Sequence, residues 1–530
     1  MSDPTSSSSS ARSASRRQVL LAGTAGAAAL GASALGTSTG WASAPRGRGP
    51  ISDPFRLGVA SGDPLPTGVV LWTRLAPEPL AEDGRGGMPD RPVAVQWQVA
   101  ADEHFRGVVA AGTELARPEE AHSVHVEVEG LRPDTEYFYR FRVGAEISPA
   151  GRTKTAPQAG ARLDRFAFAI ASCQAWYHGY FSAYRHMATE DLDAVFFLGD
   201  YIYEYGITEE NLWRHGASVG PAHGRETKTL AQYRLRHSLF KTDTDLQAAH
   251  AAFPWAIVFD DHEVENNWAD EISENNDAPQ RFLRRRARAL QAYYEHMPLR
   301  RSQRPQGPDV QLYRRLTFGD LMDFYLLDTR QYRSDQVGDA HRADPNRTLL
   351  GDRQKAWLRE AVAGPTARWN VLAQQVFFSQ RDFVAGADTN FSNDAWDGYA
   401  VERNELRDHL AATASNPVVL TGDVHANYVA DVKADFNDPG SATVATELVG
   451  TSITSGGDGQ HQRPGDQVQL QENPHITFLN RQRGYVRNIV TPTEWTADFR
   501  TVDYVTRPGA PVRTRASYVI DNDRPGARPA

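Results

Sequence analysis

The sequence predicts an α/β domain preceded by a β-sandwich. Two apolar runs, Phe166-Ala-Phe-Ala-Ile-Ala171 and Ala194-Val-Phe-Phe-Leu-Gly199, stop abruptly at polar residues. That is the pattern of buried strands covered on both faces. Further apolar runs alternate with helical segments from about residue 161 onward. Before that point, residues 51–157 hold short β-rich runs separated by turns of Pro, Gly and Asp.

Residues 1–44 read as a targeting segment. Ser15-Arg-Arg-Gln-Val-Leu-Leu21 precedes a weakly apolar stretch rich in Ala and Gly, the form of a twin-arginine export signal. So much Gly, Ala and Thr argues against a membrane anchor. Ala42-Ser-Ala44 has the small-residue cleavage pattern, although Pro45 follows it. The expectation is a secreted or cell-wall-associated protein with no stable membrane span. Its partners would be the twin-arginine translocation machinery and its substrate, and it would be a monomer.

In the sandwich region, Val69-Val-Leu-Trp-Thr73, Val93-Ala-Val-Gln-Trp-Gln-Val99, Ser123-Val-His-Val-Glu-Val128 and Tyr137-Phe-Tyr-Arg-Phe-Arg-Val143 are the strands. Residues 161–515 read as the α/β domain. A segment over 181–187 joins the first two strands as a helix, and a long loop with a helix fills about 206–235. Trp255-Ala-Ile-Val-Phe259 is a strand running into Asp260-Asp-His-Glu263. A helix spans 281–296, and a strand over 321–327 runs into Asp328. A helix then begins at Asp352, a residue type that favours the N-cap, followed by a strand over 369–376. Pro417-Val-Val-Leu-Thr421 runs into Gly422-Asp-Val-His425. Residues 516–530 read as a polar, mobile end.

The 530 residues, 40% of them hydrophobic, suffice for a large core and two or three domains. The net charge of -9 makes a poor general nucleic-acid binder. Bound metal ions invert a local field, so acidity is compatible with an anionic substrate. One cysteine, Cys173, permits no intrachain disulfide. A lone cysteine is ordinarily a small buried apolar residue. Here it sits at a strand end among metal-ligand types.

Four strand ends carry such types: Cys173, Asp200 with Tyr203, Asp260-Asp261-His262, and Asp423 with His425. One Asp after a strand is ordinarily a turn residue; four such ends at the carboxyl edge of an α/β sheet mark a site. Carboxylate, phenolate and imidazole suit a hard trivalent or divalent metal, and a thiolate adds strongly donating charge. Carboxylates with amide oxygens suit calcium. Two metals roughly 3.5–4 Å apart clamp a phosphoryl group and lower the pKa of bound water, so no serine nucleophile is needed. Arg330 could hold a phosphate oxygen bidentately or form a salt bridge in the site wall; Arg234 and Arg236 are alternatives.

Ala-Ser-Cys-Gln, Gly-Asp-Tyr-Ile-Tyr-Glu, Asp-Asp-His-Glu-Val-Glu-Asn-Asn267, Leu327-Asp-Thr-Arg-Gln-Tyr332 and Gly-Asp-Val-His, in this order, resemble the PhoD-like (alkaline phosphatase D) family of metallophosphoesterases. The resemblance implies an α/β (α+β) four-layer sandwich with an N-terminal fibronectin-III/Ig-like domain. Leu131-Arg-Pro-Asp-Thr-Glu-Tyr-Phe-Tyr139 is similar to a fibronectin-III loop with a tyrosine at the corner. The resemblance also implies one Fe3+ and two Ca2+. Cys173, Tyr203, His425 and a bridging Asp200 would serve iron, with Asp261 and Asp423 as calcium ligands. Asp260, Asn266, Asn267 and backbone oxygens are candidates for the second calcium. His262 would contact the phosphate or protonate the leaving group, and Thr451-Ser-Ile-Thr-Ser455 resembles a family loop near the site.

The implied activity is an alkaline phosphatase and phosphodiesterase that releases phosphate by metal-hydroxide attack. An alternative is a diester-first hydrolase of teichoic acid, phospholipid or nucleic acid polymers. A non-catalytic wall protein with structural metals is the rival from another class.

Overall fold

The computed structural model describes residues 51–364 and 367–530. The targeting segment expected over 1–44 lies outside them. The described chain forms one compact unit, a mixed α/β fold with a ten-stranded, an eight-stranded and a five-stranded sheet. Among the described residues no helix is long and apolar enough to cross a membrane.

Three parallel strands sit at the centre of the ten-stranded sheet: Phe166–Ala171, Ala194–Leu198 and Pro254–Val258. Val195 pairs with both Ala169 and Trp255, so the three run in register. Every residue in them is buried, which explains why each reads as an unbroken apolar run. The eight-stranded sheet has a parallel centre too: Met322–Leu326, Trp369–Ala373, Pro417–Thr421 and Thr443–Val449.

The two parallel centres pack through aromatic rings. Phe196 stacks on Phe324 with centroids 4.0 Å apart, and Phe168 meets Phe324 edge-on at 5.1 Å. Such pairs add about 0.5–1.5 kcal/mol beyond the area they bury. Side chains alternate along a strand, so Phe197 turns the other way. It packs on Trp255, which His250 of the helix Thr244–Ala252 covers at 4.0 Å. Likewise Tyr325, Leu372 and Val419 turn away from Phe324 and join Leu358, Leu406 and Leu410. Those leucines belong to the helices Gly351–Ala363 and Ala400–Thr413.

Two sequence expectations are corrected, at the polar end and at Asp352. The strands of 51–157 lie in two sheets that face each other, and one of these is continuous with the ten-stranded sheet. Val59–Leu65, Gly68–Arg74 and Ser123–Glu129 extend the ten-stranded sheet, with Ser61 and Gly62 pairing in parallel to Pro254 and Trp255. An unpaired edge beside Pro254–Val258 would be left exposed; these strands cover it. The five-stranded sheet, including Val93–Ala100 and Glu136–Val143, packs over them through Val69, Leu71, Val95 and Tyr139. At its corner the Tyr137 hydroxyl accepts the Arg132 amide at 2.9 Å.

The polar end is also ordered. Val512–Asp521 and Arg524–Pro529 pair as a hairpin at the far edge of the ten-stranded sheet. Alternating polar residues suit a half-exposed edge strand as well as a tail. Finally, Asp352 is not an N-cap: the helix begins at Gly351 with Leu350 before it, and the Thr348 hydroxyl accepts the Gly351 amide. The long loop ends in the helix Leu230–Lys241, where Thr229 and Gln232 form a capping box.

Candidate active site

The site lies at the carboxyl ends of both parallel centres. Chain reversal there is sharp, and Cys173, Asp200, Asp423 and His425 all adopt the left-handed conformation, with φ of 58°, 59°, 60° and 53°. That conformation costs roughly 1–2 kcal/mol for an L-residue, and its concentration at one place marks a site where geometry outranks local comfort. Gly199 is needed beside Asp200, because at φ +98° a Cβ there would lie 2.5 Å from that of Asp260.

Hydrogen bonds lock these turns together. The Cys173 amide donates to the Gly199 carbonyl and Gln174 to that of Asp200, both at 3.0 Å. The Glu263 carboxylate accepts the amides of Asp200 at 3.2 Å, Asp260 at 2.8 Å and Tyr201. One buried carboxylate therefore ties the ends of two strands.

Two groups of donor atoms result. Cys173, Asp200 and His425 bring a sulfur, a carboxylate oxygen and a ring nitrogen within 4.8 Å of one another. The Tyr203 hydroxyl joins them, 2.8 Å from Asp200 Oδ2 and 3.1 Å from His425 Nε2. Asp200, Asp261 and His262 form the second group within the same limit, so Asp200 belongs to both. Asp423 falls in neither group, although its charge reaches Cys173 and Asp260.

The donors fit metal ions on their own chemistry. Asp200 Oδ1 and Asp260 Oδ2 are buried without a hydrogen-bond partner, which is costly unless something else satisfies them. Burial, then Asp200 and Asp423, pushes the Cys173 thiol well up. Burial, then Asp200, does the same to the Tyr203 phenol. Asp200 and Asp423 are raised by burial as well, each with a neighbouring acid opposing its charge. Burial and then Arg483 lower His425 to about 3. Every one of these shifts opposes charge on a donor or protonation of an imidazole, and a bound cation relieves the first and profits from the second.

His262 behaves differently. Burial disfavours its charged form, but Glu204, Asp261 and Asp200 outweigh burial and raise its pKa well above the ordinary value. Its Nδ1 lies 2.7 Å from Glu204 Oε2. Glu204 Oε1 accepts the Asn266 amide, and Asp261 accepts those of His262 and Asn267.

Arg330 takes the salt-bridge role that the sequence left open beside phosphate binding. It is fully buried, and its bidentate partner is Asp394, at 2.7 and 2.8 Å, with Nε on Asp260 at 2.5 Å. These carboxylates engage its guanidinium in the site wall. Arg234 pairs with Glu295, and Arg236 donates to the carbonyls of Tyr203, Tyr205 and His223; neither faces the site. Trp176 packs under the Arg214 guanidinium at 4.4 Å. In the loop over 451–455, Ser455 donates to the Tyr203 oxygen at 2.7 Å and accepts the Ala175 amide at 3.0 Å.

Four contributors carried no assigned role in the sequence. Glu204 and Glu263 lie inside recognised motifs, so their positions were a signal. Asp394 and Arg483 lie in unremarkable segments. Arg483 donates to the His425 carbonyl at 2.8 Å and to Ser452 at 3.0 Å, a role set by contacts distant in sequence.

Known proteins match this arrangement. The family model for the PhoD-like phosphatase matches residues 168–499, and that for its N-terminal domain matches 40–157. Alkaline phosphatase D of Bacillus subtilis (strain 168) is 52% identical over 485 residues, covering 90% of this chain and 82% of that relative. A solved structure described as that of PhoD superposes with a TM-score of 0.86 at 51% identity, covering 92% of this chain and 93% of that one. A Plasmodium inner-membrane-complex anchor, GAP50, reaches only 0.33 at 9% identity, over 68% of this chain and 90% of its own, and carries no weight. With both family models and a relative spanning nearly its whole length, the chain belongs to the PhoD-like phosphatase family.

Proposed function

We propose that this chain is a metal-dependent phosphoric ester hydrolase that releases phosphate from phosphomonoesters and phosphodiesters. Membership of the PhoD-like family supports the hydrolase reading. The observation that carries it is Asp200, whose carboxylate belongs to two donor groups, one with Cys173 and His425, the other with Asp261 and His262.

In this reading Cys173, Tyr203, His425 and Asp200 would hold one iron(III). Asp200, Asp261 and Asp423 would serve two calcium ions, with Asp260 and the Asn266-Asn267 turn as further oxygen donors. Bound cations supply charge against the phosphoryl oxygens and lower the pKa of water.

The chain's own residues do the rest. Glu263 fixes the two turns so that the acids converge. Ser455 orients the Tyr203 oxygen toward Asp200. Glu204 occupies Nδ1 of His262 and favours its charged form. That leaves Nε2 free to hydrogen-bond a phosphoryl oxygen or give its proton to the departing ester oxygen.

The finer fold assignment belongs to the same proposal: a four-layer core, supported by helices outside two facing sheets, and a fibronectin-III-like partner, supported by the Tyr137 corner contact. So does twin-arginine export, which rests on Arg16 and Arg17 ahead of the Ala/Gly-rich stretch.

The test is elemental analysis with phosphate release from glycerol phosphate and bis-nitrophenyl phosphate, before and after exhaustive chelation. Iron and calcium co-purifying with activity, and loss of both together, are expected. Full turnover by protein without metal would sink the reading. Because the Cys173, Tyr203 and Asp200 donors are raised by burial, metal uptake displaces protons. Affinity therefore falls as pH falls, and a chelator should strip the metal more readily at pH 6 than at pH 9.

A further inference from the structure

Among the described residues only two aromatic side chains are strongly exposed, Trp213 at 40% and Tyr205 at 41%. Both stand at the rim of this one site. The Tyr205 ring meets the His262 ring edge-on with centroids 5.3 Å apart. Trp213 stacks on His178 at 4.2 Å and 16° between planes. His178 in turn abuts Tyr177 at 4.5 Å, and Tyr177 faces Tyr203 at 6.5 Å. A continuous aromatic path thus runs from the donor groups to the surface.

These rings are held and yet uncovered. The Trp213 amide donates to the Tyr177 carbonyl at 2.8 Å, and its indole N–H donates to that of Glu210 at 2.9 Å. His178 Nδ1 accepts the Gly456 amide at 3.1 Å. At Gly457 a Cβ would come 3.2 Å from the Trp213 ring, so the loop passes close to its edge. Arg236 clasps the Tyr205 carbonyl at 2.6 Å. Exposing two large rings costs solvation free energy, and pre-positioned rings lose little entropy on binding. Tyr205 lies on the His262 side, where a departing ester oxygen would take its proton.

We propose that Tyr205 and the His178–Trp213 stack form a leaving-group subsite that takes a planar ring, aryl or nucleobase, on the phosphate ester. The inference rests on the hydrolase reading above. Stacking of this kind is ordinarily lost with alanine and retained with another aromatic.

The experiment uses the metal-loaded full chain and compares kcat/KM for nitrophenyl phosphate, adenosine 5′-monophosphate and glycerol phosphate. The readout is the ratio of each planar ester to the glycerol ester. In Trp213→Ala the ratio should fall about tenfold, mainly through KM, and Trp213→Phe should restore most of it. Tyr205→Ala should lower it in the same direction. The nitrophenyl and adenosine arms separate an aryl from a nucleobase preference. An unchanged ratio, or equal losses on all three esters, would overturn the subsite. Absence of turnover on every ester would instead sink the hydrolase reading. The subsite is then judged by quenching of tryptophan fluorescence with adenosine 5′-monophosphate: quenching that disappears in Trp213→Phe, which removes the reporting indole, and weakens in Tyr205→Ala supports it, and no quenching in the unmodified protein overturns it.

Discussion

Replacing Glu204 with Gln removes one charge and almost no volume. Glu204 is 1% exposed, and its Oε2 lies 2.7 Å from His262 Nδ1. At that separation two unit charges interact by about 6 kcal/mol at an effective dielectric near 20, before desolvation is subtracted. Breaking one partner of a buried pair ordinarily leaves a net loss of about 3–5 kcal/mol. The Gln amide still reaches Nδ1 but no longer favours the imidazolium. With cations on Asp200 and Asp261, Glu204 is the anion left to keep that proton in place. Glu204→Gln should therefore lower kcat by roughly 10²–10⁴-fold, the usual worth of a positioned acid. It should also move the alkaline limb of the kcat profile to lower pH.

The stability follows the same sign. The pKa of His262 is raised in the fold, so the pairing stabilises fully below the ordinary histidine pKa and is lost as pH rises through the elevated value. In Glu204→Gln this pH-dependent share of stability shrinks. Steady-state kinetics from pH 6 to 10 and urea unfolding at the two ends of that range measure both effects. An alkaline limb that stays where it is in the unmodified enzyme would refute the role of the pair.

Cys173→Ser should retain most of the fold but lose iron by elemental analysis, together with any visible charge-transfer colour; an iron content equal to the unmodified protein removes the thiolate from the ligand set. Arg330→Lys replaces a bidentate clasp on Asp394 with a point charge, and should lower stability by about 3 kcal/mol without a selective rise in KM; a KM effect alone would return Arg330 to substrate binding. Phe196→Ala empties the contact with Phe324 between the sheets and should cost about 3–5 kcal/mol in urea unfolding; a loss under 1 kcal/mol would mean that the sheets do not meet there.

Much of the candidate site was legible in the sequence because its donor residues are local to their strands. A strand buried on both faces must be apolar throughout, so its end is visible as the first polar residue. Cys173, Asp200, Asp260 and Asp423 each lie two residues past the last residue of such a strand. Arg330 stays open between phosphate and carboxylate in the sequence for the converse reason. An arginine after a strand looks the same in sequence whether it meets phosphate or a carboxylate. Asp394, its partner, lies 64 residues further along.

The sequence by itself determined the α/β order, the four strand ends that carry donor residue types and the aromatic and acidic residue types placed there. These are properties of hydrophobic period and residue chemistry, which act over a few neighbours. Tertiary structure decided which donors share a site: Asp200 joins two groups, while Asp423 stands outside both. It also decided that the N-terminal strands continue the catalytic sheet and that the polar end closes its far edge. Sheet edges and buried charges are satisfied by whatever the fold brings within hydrogen-bonding distance, and local pattern does not encode that partner.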